Sequence, residues 1–414
     1  MALSASIIVP SDIALMVREV EQSYSSYVQK FRIPDDHLIV VNFSGGKDST
    51  ATLAIANHLF GSRVHNVMAD TDNEHEYTID FAQKIHEQIG CRPTQFVKRV
   101  YTENDFEKRR ASIKKNWPKR QAIRMGAYRG IVMPSLANPN TKFADAWRKS
   151  ARRWGIDFAT PLDAALSVLN PSGNSFLDAA LLHGKFPMLR DRFCTDELKI
   201  NSVFDQVINP MLNEGEVVVQ WSGVRGDEST KRASYARFEA DRRDPTFLYN
   251  FLPIHKWTAA DVFALHKYFG IKPNPLYLEG AARVGCMNCV LCNKEEIAQT
   301  AARYPQHIDK HRDWEQKVRL VSRWVHWMSV GTFSQSWMRQ YSLPLGRSVQ
   351  LYGKKPAVQN LDWSAFYGTR GGMGAPSVDE VVEWAKTGRG GKVYDLVKAS
   401  IDTEVCSSRY GLCE

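Results

Sequence analysis

The segment that most constrains this chain runs from Leu38 to Phe60. Leu38-Ile-Val-Val-Asn-Phe43 is an apolar, β-branched run, and Ser44-Gly45-Gly46-Lys47-Asp48-Ser49 follows it directly. A helix-forming stretch then extends from about Ser49 to Phe60. A buried strand, a glycine turn and a helix in immediate succession form the first half of a parallel βαβ unit. Val64 to Ala69 reads as a second strand, Glu74 to Ile89 as a helix, Thr94 to Val100 as a third strand and Glu216 to Trp221 as a later one. The expected class is therefore α/β, a doubly wound and mostly parallel sheet. A helical segment precedes it over residues 1–37. The nucleotide-binding domain is expected in two parts, 38–100 and 191–294, around a basic insertion at 101–190, with a helical region at 295–414.

The hexapeptide at 44–49 has the chemistry of a phosphate cradle. Two glycines let backbone amides converge on phosphate oxygens, and the following helix presents its positive end to them. Ser44 and Ser49 add hydroxyls, Lys47 adds a cation, and Asp48 can orient either a magnesium ion or the loop itself. The four-residue spacer of a Walker A loop is missing, and the dinucleotide fingerprint does not fit. The alternative is a serine-capped glycine turn, which the strand–loop–helix context disfavours.

This hexapeptide is similar to the pyrophosphate loop of the PP-loop ATP pyrophosphatases, of the adenine nucleotide alpha hydrolase-like fold. Further segments resemble one branch, the phosphoadenosine phosphosulfate reductase family. They are Asp70 to Thr78, Arg192-Phe-Cys-Thr-Asp-Glu-Leu-Lys199, Gly223-Val-Arg-Gly-Asp-Glu-Ser-Thr-Lys-Arg232, Trp257 to Asp261 and Asn274-Pro-Leu-Tyr277, in the family's order. Asp72 stands where that family has glycine. The resemblance implies a nucleotide site built from Ser44, Gly45, Gly46, Lys47, Asp48, Ser49, Asp70, Lys199, Arg225 and Arg232, with Lys47, Asp48, Cys194 and Arg225 in catalytic roles. Arg225 and Arg232 are permanent cations suited to phosphate or a charged leaving group, and Glu228 is equally well read as their structural partner.

Three of the seven cysteines, Cys286, Cys289 and Cys292, fall within seven residues. Three thiolates on one loop can surround a single centre, and the spacing begins like a bacterial iron–sulfur run. Structural zinc more often takes two separated Cys-x2-Cys knuckles. The family resemblance supplies Cys194 as fourth ligand and favours a 4Fe–4S cluster over zinc or free thiols. Two alternatives stay open: Cys194 as a sulfur-carrying thiol, or Cys292 as the spare residue. Cys91 reads as a helix-end core residue, and Cys406 and Cys413 as inert thiols of the tail. His307 and His311 have metal-ligand spacing but no evident third ligand, so they are expected to face solvent.

Lys+Arg exceed Asp+Glu by 54 to 45, and the excess is concentrated. Residues 98–153 hold 16 basic and 4 acidic residues, a local surplus of +12 against +9 for the chain. Arg109, Arg110, Lys114, Lys115, Lys119, Arg120, Arg152 and Arg153 are interleaved with aromatic residues, a pattern that suits phosphates and stacked bases. No apolar run reaches the roughly 20 residues of a membrane span, and no export signal is evident, so a cytoplasmic protein without membrane contact is expected. The first function expected is an ATP-dependent, AMP- and pyrophosphate-forming sulfur transferase acting on nucleic acid, DNA in preference to transfer RNA. It resembles the iron–sulfur PP-loop component of DNA phosphorothioation systems, with ATP, Mg2+ and a cysteine desulfurase as sulfur donor. The alternatives are a sulfonucleotide reductase releasing sulfite, and a non-catalytic nucleic-acid-binding protein. The intact loop argues against the reductase, whose loop is typically degenerate.

Overall fold

A computed structural model describes residues 10–128, 159–189, 191–329, 365–367 and 377–388. These residues divide between two compact units, one drawn from Met1–Arg99 and Arg192–Ile297, the other from Val100–Asp191 and Ala298–Arg389.

The first unit is built on a six-stranded sheet: β1 (Leu38–Phe43), β2 (Val64–Asp70), β3 (Gln95–Lys98), β4 (Val218–Ser222), β5 (Phe238–Ala240) and β6 (Leu248–Phe251). The strand order is β3-β2-β1-β4-β6-β5. All pairings are parallel except β5 with β6, which is antiparallel at the edge. Alternation along β1 sends Ile39, Val41 and Phe43 to one face and Val40 to the other. The first face is covered by α1 (Pro10–Phe31), α2 (Lys47–Phe60), α3 (Glu76–Ile89) and a helix at Ala259–Tyr268, through Val20, Tyr24, Leu53, Ile55, Ile85 and Leu265. Trp221 is fully buried there, with Tyr24, Phe60 and Phe251 around it at ring-centroid distances of 4.8–5.5 Å. The opposite face carries a helical stretch over residues 193–213, whose Val203, Val207 and Ile208 pack on Val40, Val67 and Val218. Two π-helical segments, Asp196–Ile200 and Phe204–Ile208, interrupt it. With helices on both faces and a mostly parallel sheet, the fold is the doubly wound α/β class.

The chain order reverses between β1 and β4. In open α/β sheets this reversal leaves a crevice at the carboxyl ends of the strands, where ligands bind. The loop after β1 and the turn after β4 both open there.

The second unit is helical among its described residues, with helices at Glu103–Tyr128, Ala159–Ser167, Ser175–His183, Pro305–Ser329 and Val378–Ala385. Phe106, Phe176, Trp314 and Phe366 are buried in it. His307 and His311, expected to face solvent, are buried instead, at 3% and 0% exposure. His311 stacks on Phe366 at 3.9 Å with an interplanar angle of 16°. Ring stacking makes an imidazole a core residue, which its spacing along the helix does not reveal. No helix among the described residues is long and apolar enough to cross a membrane.

Candidate functional site

The phosphate loop is only three residues long, because α2 begins at Lys47, two residues before the expected start. Gly45 sits at φ +77°, and a Cβ there would lie 2.7 Å from Thr78 Cγ2. Ser49 Oγ closes the turn, accepting from the Ser44 N–H at 3.2 Å and donating to the Gly46 carbonyl at 3.1 Å. Gly223, just after β4, lies against the loop from the other side. A Cβ on it would fall 2.7–2.8 Å from the backbone of Asp48 and Ser49. This contact ties the two strand ends at the crevice into one structure.

Asp48 is the centre of the charge arrangement. It is fully buried, with Lys47 Nζ 2.9 Å from Oδ2 and Arg225 Nε 2.8 Å from Oδ1. Burial alone would push its carboxyl up. Lys47 and then Arg225 outweigh that, and the group titrates below the ordinary carboxylate range. Both oxygens lie within ion-pair distance of a cation, which fixes Asp48 within the loop. Arg225 continues to Asp227 at 2.6 Å and Glu228 at 3.7 Å, and Arg232 pairs with Glu228. Glu228 thus has the structural role, joining Arg225 and Arg232, which are each 1% exposed. A buried chain of alternating charge fixes guanidinium positions more firmly than packing alone.

Beside it, β2 ends in Asp70, with Thr71 to Glu74 curling back. Asp72 takes φ +60°, the left-handed conformation that a glycine adopts freely, and its N–H donates to Asp70 Oδ1 at 2.8 Å. Lys98 pairs with Asp72 at 2.5 Å. Burial raises the Asp70 carboxyl, and the neighbouring Glu74 and Asp72 carboxylates add to the rise. Lys199 is buried on the helical stretch that carries Cys194.

The cysteine loop is docked on this same strand end. Cys286 and Glu74 form an antiparallel bridge, Met287 N–H donates to the Asn73 carbonyl at 2.6 Å, and Asn73 Nδ2 donates to the Asn288 carbonyl at 3.1 Å. Cys286 Sγ lies 3.5 Å from Glu74 Oε1. Further along, Leu291 N–H points at Cys289 Sγ at 3.4 Å, and Arg283, paired with Glu296 at 3.0 Å, also donates to Cys289. Burial, with Glu296 and Cys289 adding to it, pushes the Cys292 thiol well above its ordinary value. None of Cys91, Cys194, Cys286, Cys289 and Cys292 forms a disulfide with another described residue.

Residues 38–292, more than half of the chain, match the model of the phosphoadenosine phosphosulfate reductase domain. The chain belongs to that family. It is 34% identical over 378 residues to an uncharacterized 37.8 kDa protein in the gpa 5' region of Escherichia phage 186, covering 91% of this chain and 96% of the phage protein. It is also 32% identical to an adenosine 5'-phosphosulfate reductase of Burkholderia cepacia, over 22% of this chain and 37% of that enzyme. A crystal structure of phosphoadenylyl-sulfate reductase from Candida auris in its phosphate complex aligns with 70% of this chain and 98% of its own, at 14% identity and a TM-score of 0.32.

As a member of the phosphoadenosine phosphosulfate reductase family, the chain carries a nucleotide-binding fold. Four residues to which the sequence alone assigns no role also shape the loop. Asn274 Nδ2 donates to the Gly45 carbonyl at 3.2 Å and to Thr78 Oγ1 at 3.3 Å. Tyr277 OH accepts from the Lys47 N–H at 3.0 Å, and His266 Nε2 lies 2.8 Å from the Lys47 carbonyl. The segments Asp70 to Thr78 and Asn274-Pro-Leu-Tyr277 mark Thr78, Asn274 and Tyr277 as part of the family pattern, whereas no sequence signal identifies His266.

Of the basic residues expected to meet nucleic acid, Lys114 and Lys115 are exposed on the helix Glu103–Tyr128. Arg109 is half-buried. Arg110 is spent within its own unit, pairing with Glu103 and donating to the Leu169 carbonyl at 2.6 Å. The side chains of Lys119 and Arg120, and the whole of Arg152, Arg153, Cys406 and Cys413, lie outside the described residues.

Proposed function

We propose that this chain is an AMP- and pyrophosphate-forming, ATP-dependent sulfur transferase acting on nucleic acid, DNA in preference to transfer RNA. The observation that carries this reading is the complete phosphate loop, whose Asp48 is clamped between Lys47 and Arg225 at the crevice between β1 and β4. Those cations suit a triphosphate delivered as its magnesium complex. An acceptor oxygen attacks the α-phosphorus, pyrophosphate leaves, and the oxygen becomes an adenylate ester. A persulfide sulfur, delivered by a cysteine desulfurase, then attacks the acceptor and displaces AMP, and an external thiol reductant cleaves the resulting S–S bond to leave the sulfur on the acceptor.

The cysteine donor set fits an iron–sulfur cluster chemically. Three thiols share one loop, a backbone N–H and a guanidinium already point at Cys289, and Cys194 lies in the same unit. In this reading Cys194, Cys286, Cys289 and Cys292 hold a 4Fe–4S cluster, which supplies a polarising or electron-transferring centre. N–H donation to sulfur and nearby positive charge are what tune such clusters.

The second reading is a sulfonucleotide reductase releasing sulfite. The family match over residues 38–292 and the Burkholderia reductase similarity support it. One experiment separates the two. Anaerobically purified protein is incubated with magnesium and labelled ATP, with and without duplex DNA or transfer RNA, and in parallel with phosphoadenosine phosphosulfate or adenosine phosphosulfate and thioredoxin. AMP with pyrophosphate, lost in Asp48→Ala, supports the transferase. Sulfite release with intact ATP overturns it in favour of the reductase.

A further inference from the structure

The phosphate loop as it stands has one of its anion-binding groups already occupied. Lys47 is the first residue of α2, and its N–H is among those that a 14-residue helix offers to an anion. Here that N–H donates to the Tyr277 phenol oxygen at 3.0 Å. The same ring lies 6.0 Å from Lys47 Nζ, and the Lys47 side chain is only 9% exposed. One side chain therefore accepts from the amide and lies beside the ammonium that a phosphate oxygen would approach.

Tyr277 is held for this position. Asn274 caps the short helix Pro275–Leu278, accepting from the Leu276 N–H at 3.1 Å while its amide grips the loop at Gly45. Asn274 and Leu276 are buried, at 1% and 4% exposure, and anchor the turn. Tyr277 is half-buried, and Phe263 meets its ring edge-on at 5.8 Å and 89°. Phe263 is itself 41% exposed. Between these buried anchors the phenol lies against a partly exposed ring.

We infer that Tyr277 is a phosphate-displaced latch: its phenol oxygen accepts from the Lys47 N–H, and the nucleotide's phosphate must expel it to bind. This rests on the reading of the loop as a nucleotide site and names a positioning residue within it. The latch lowers affinity by the strength of the hydrogen bond it makes, and in return keeps the loop's N–H satisfied when no ligand is present.

The direction of the effect distinguishes a latch from a merely supporting tyrosine. The full chain and Tyr277→Phe, which keeps the ring against Phe263, are titrated calorimetrically with magnesium ATP and with inorganic pyrophosphate. A latch predicts that Tyr277→Phe binds both about 2- to 10-fold more tightly. Binding by Tyr277→Phe alone, with none by the unsubstituted chain, equally supports the latch. Equal or weaker binding by the variant overturns the latch while leaving the nucleotide reading intact. Binding of neither ligand by either protein overturns both.

Discussion

At the scale of single residues, the site turns on Asp48. Its carboxylate is buried, yet it is anionic because Lys47 and Arg225 sit on its two oxygens. Removing one partner of such a pair leaves uncompensated buried charge, which costs about 3–5 kcal/mol. Asp48→Asn is therefore expected to lower thermal stability and to abolish nucleotide turnover, as read by calorimetry and AMP release. The pH dependence has a definite sign. The folded carboxyl titrates below its unfolded value of about 3.9. The stability it confers is fully present above that unfolded value and is lost as pH falls through the lowered folded one. The stability gap between the unsubstituted chain and Asp48→Asn should narrow in acid. A constant gap down to the lowest pH at which the protein stays folded would contradict the ion-pair account.

At the scale of elements, the loop after β1 and the turn after β4 form one body because a glycine lets their backbones touch. Gly223 has no positive φ in this fold; its requirement is space. Gly223→Ala is expected to cost about 1–3 kcal/mol through overpacking against the Asp48–Ser49 backbone. Pyrophosphate affinity should fall with it, because the displaced backbone is the cradle itself. A variant of unchanged stability and affinity would mean that the loop relaxes freely.

Elements also show what the sequence could and could not reveal. β1 was legible to the residue, since an apolar run ending in a glycine turn leaves no other reading. α2 begins earlier than its composition suggests because Gly46 serves as the cap and Lys47 is already helical. β5 and β6 were invisible, being three and four residues long with no periodicity to detect. The π-helical segments at 196–208 likewise leave no mark in composition. The cluster of Lys47, Asp48, Arg225 and Arg232 was legible as residue types, and the pairing of Arg225 and Arg232 with Glu228 was one of two readings the sequence left open. The cysteine loop was legible by spacing, while its docking on Asn73 and Glu74 was not. If that loop holds a cluster, anaerobically purified protein should carry about four irons and a broad visible absorbance. Both should be lost in Cys289→Ser, whose sulfur receives the Leu291 N–H and the Arg283 guanidinium. Stoichiometric zinc without iron would overturn the cluster.

At the scale of the whole molecule, two units divide the chemistry. One carries the crevice, the charge chain and the cysteine loop. The other carries a helix, Glu103–Tyr128, within the most basic stretch of the chain. Not every cation on that helix is available to a partner. Arg110 is consumed by Glu103 and the Leu169 carbonyl, so its loss should damage the fold of its unit before it affects binding. Lys114 and Lys115 are exposed, and a polyanion can reach them without unfolding anything. Each phosphate neutralised on duplex DNA contributes about −0.9 to the slope of log affinity against log salt. Replacing both lysines with alanine should therefore leave thermal stability within about 0.5 kcal/mol while weakening duplex DNA binding. The salt slope should become shallower by about 1.8 if both contact phosphate. A weaker affinity with an unchanged slope would place the lysines outside the interface. No change in either would leave the basic surplus as a solvated surface and would favour the sulfonucleotide reductase reading.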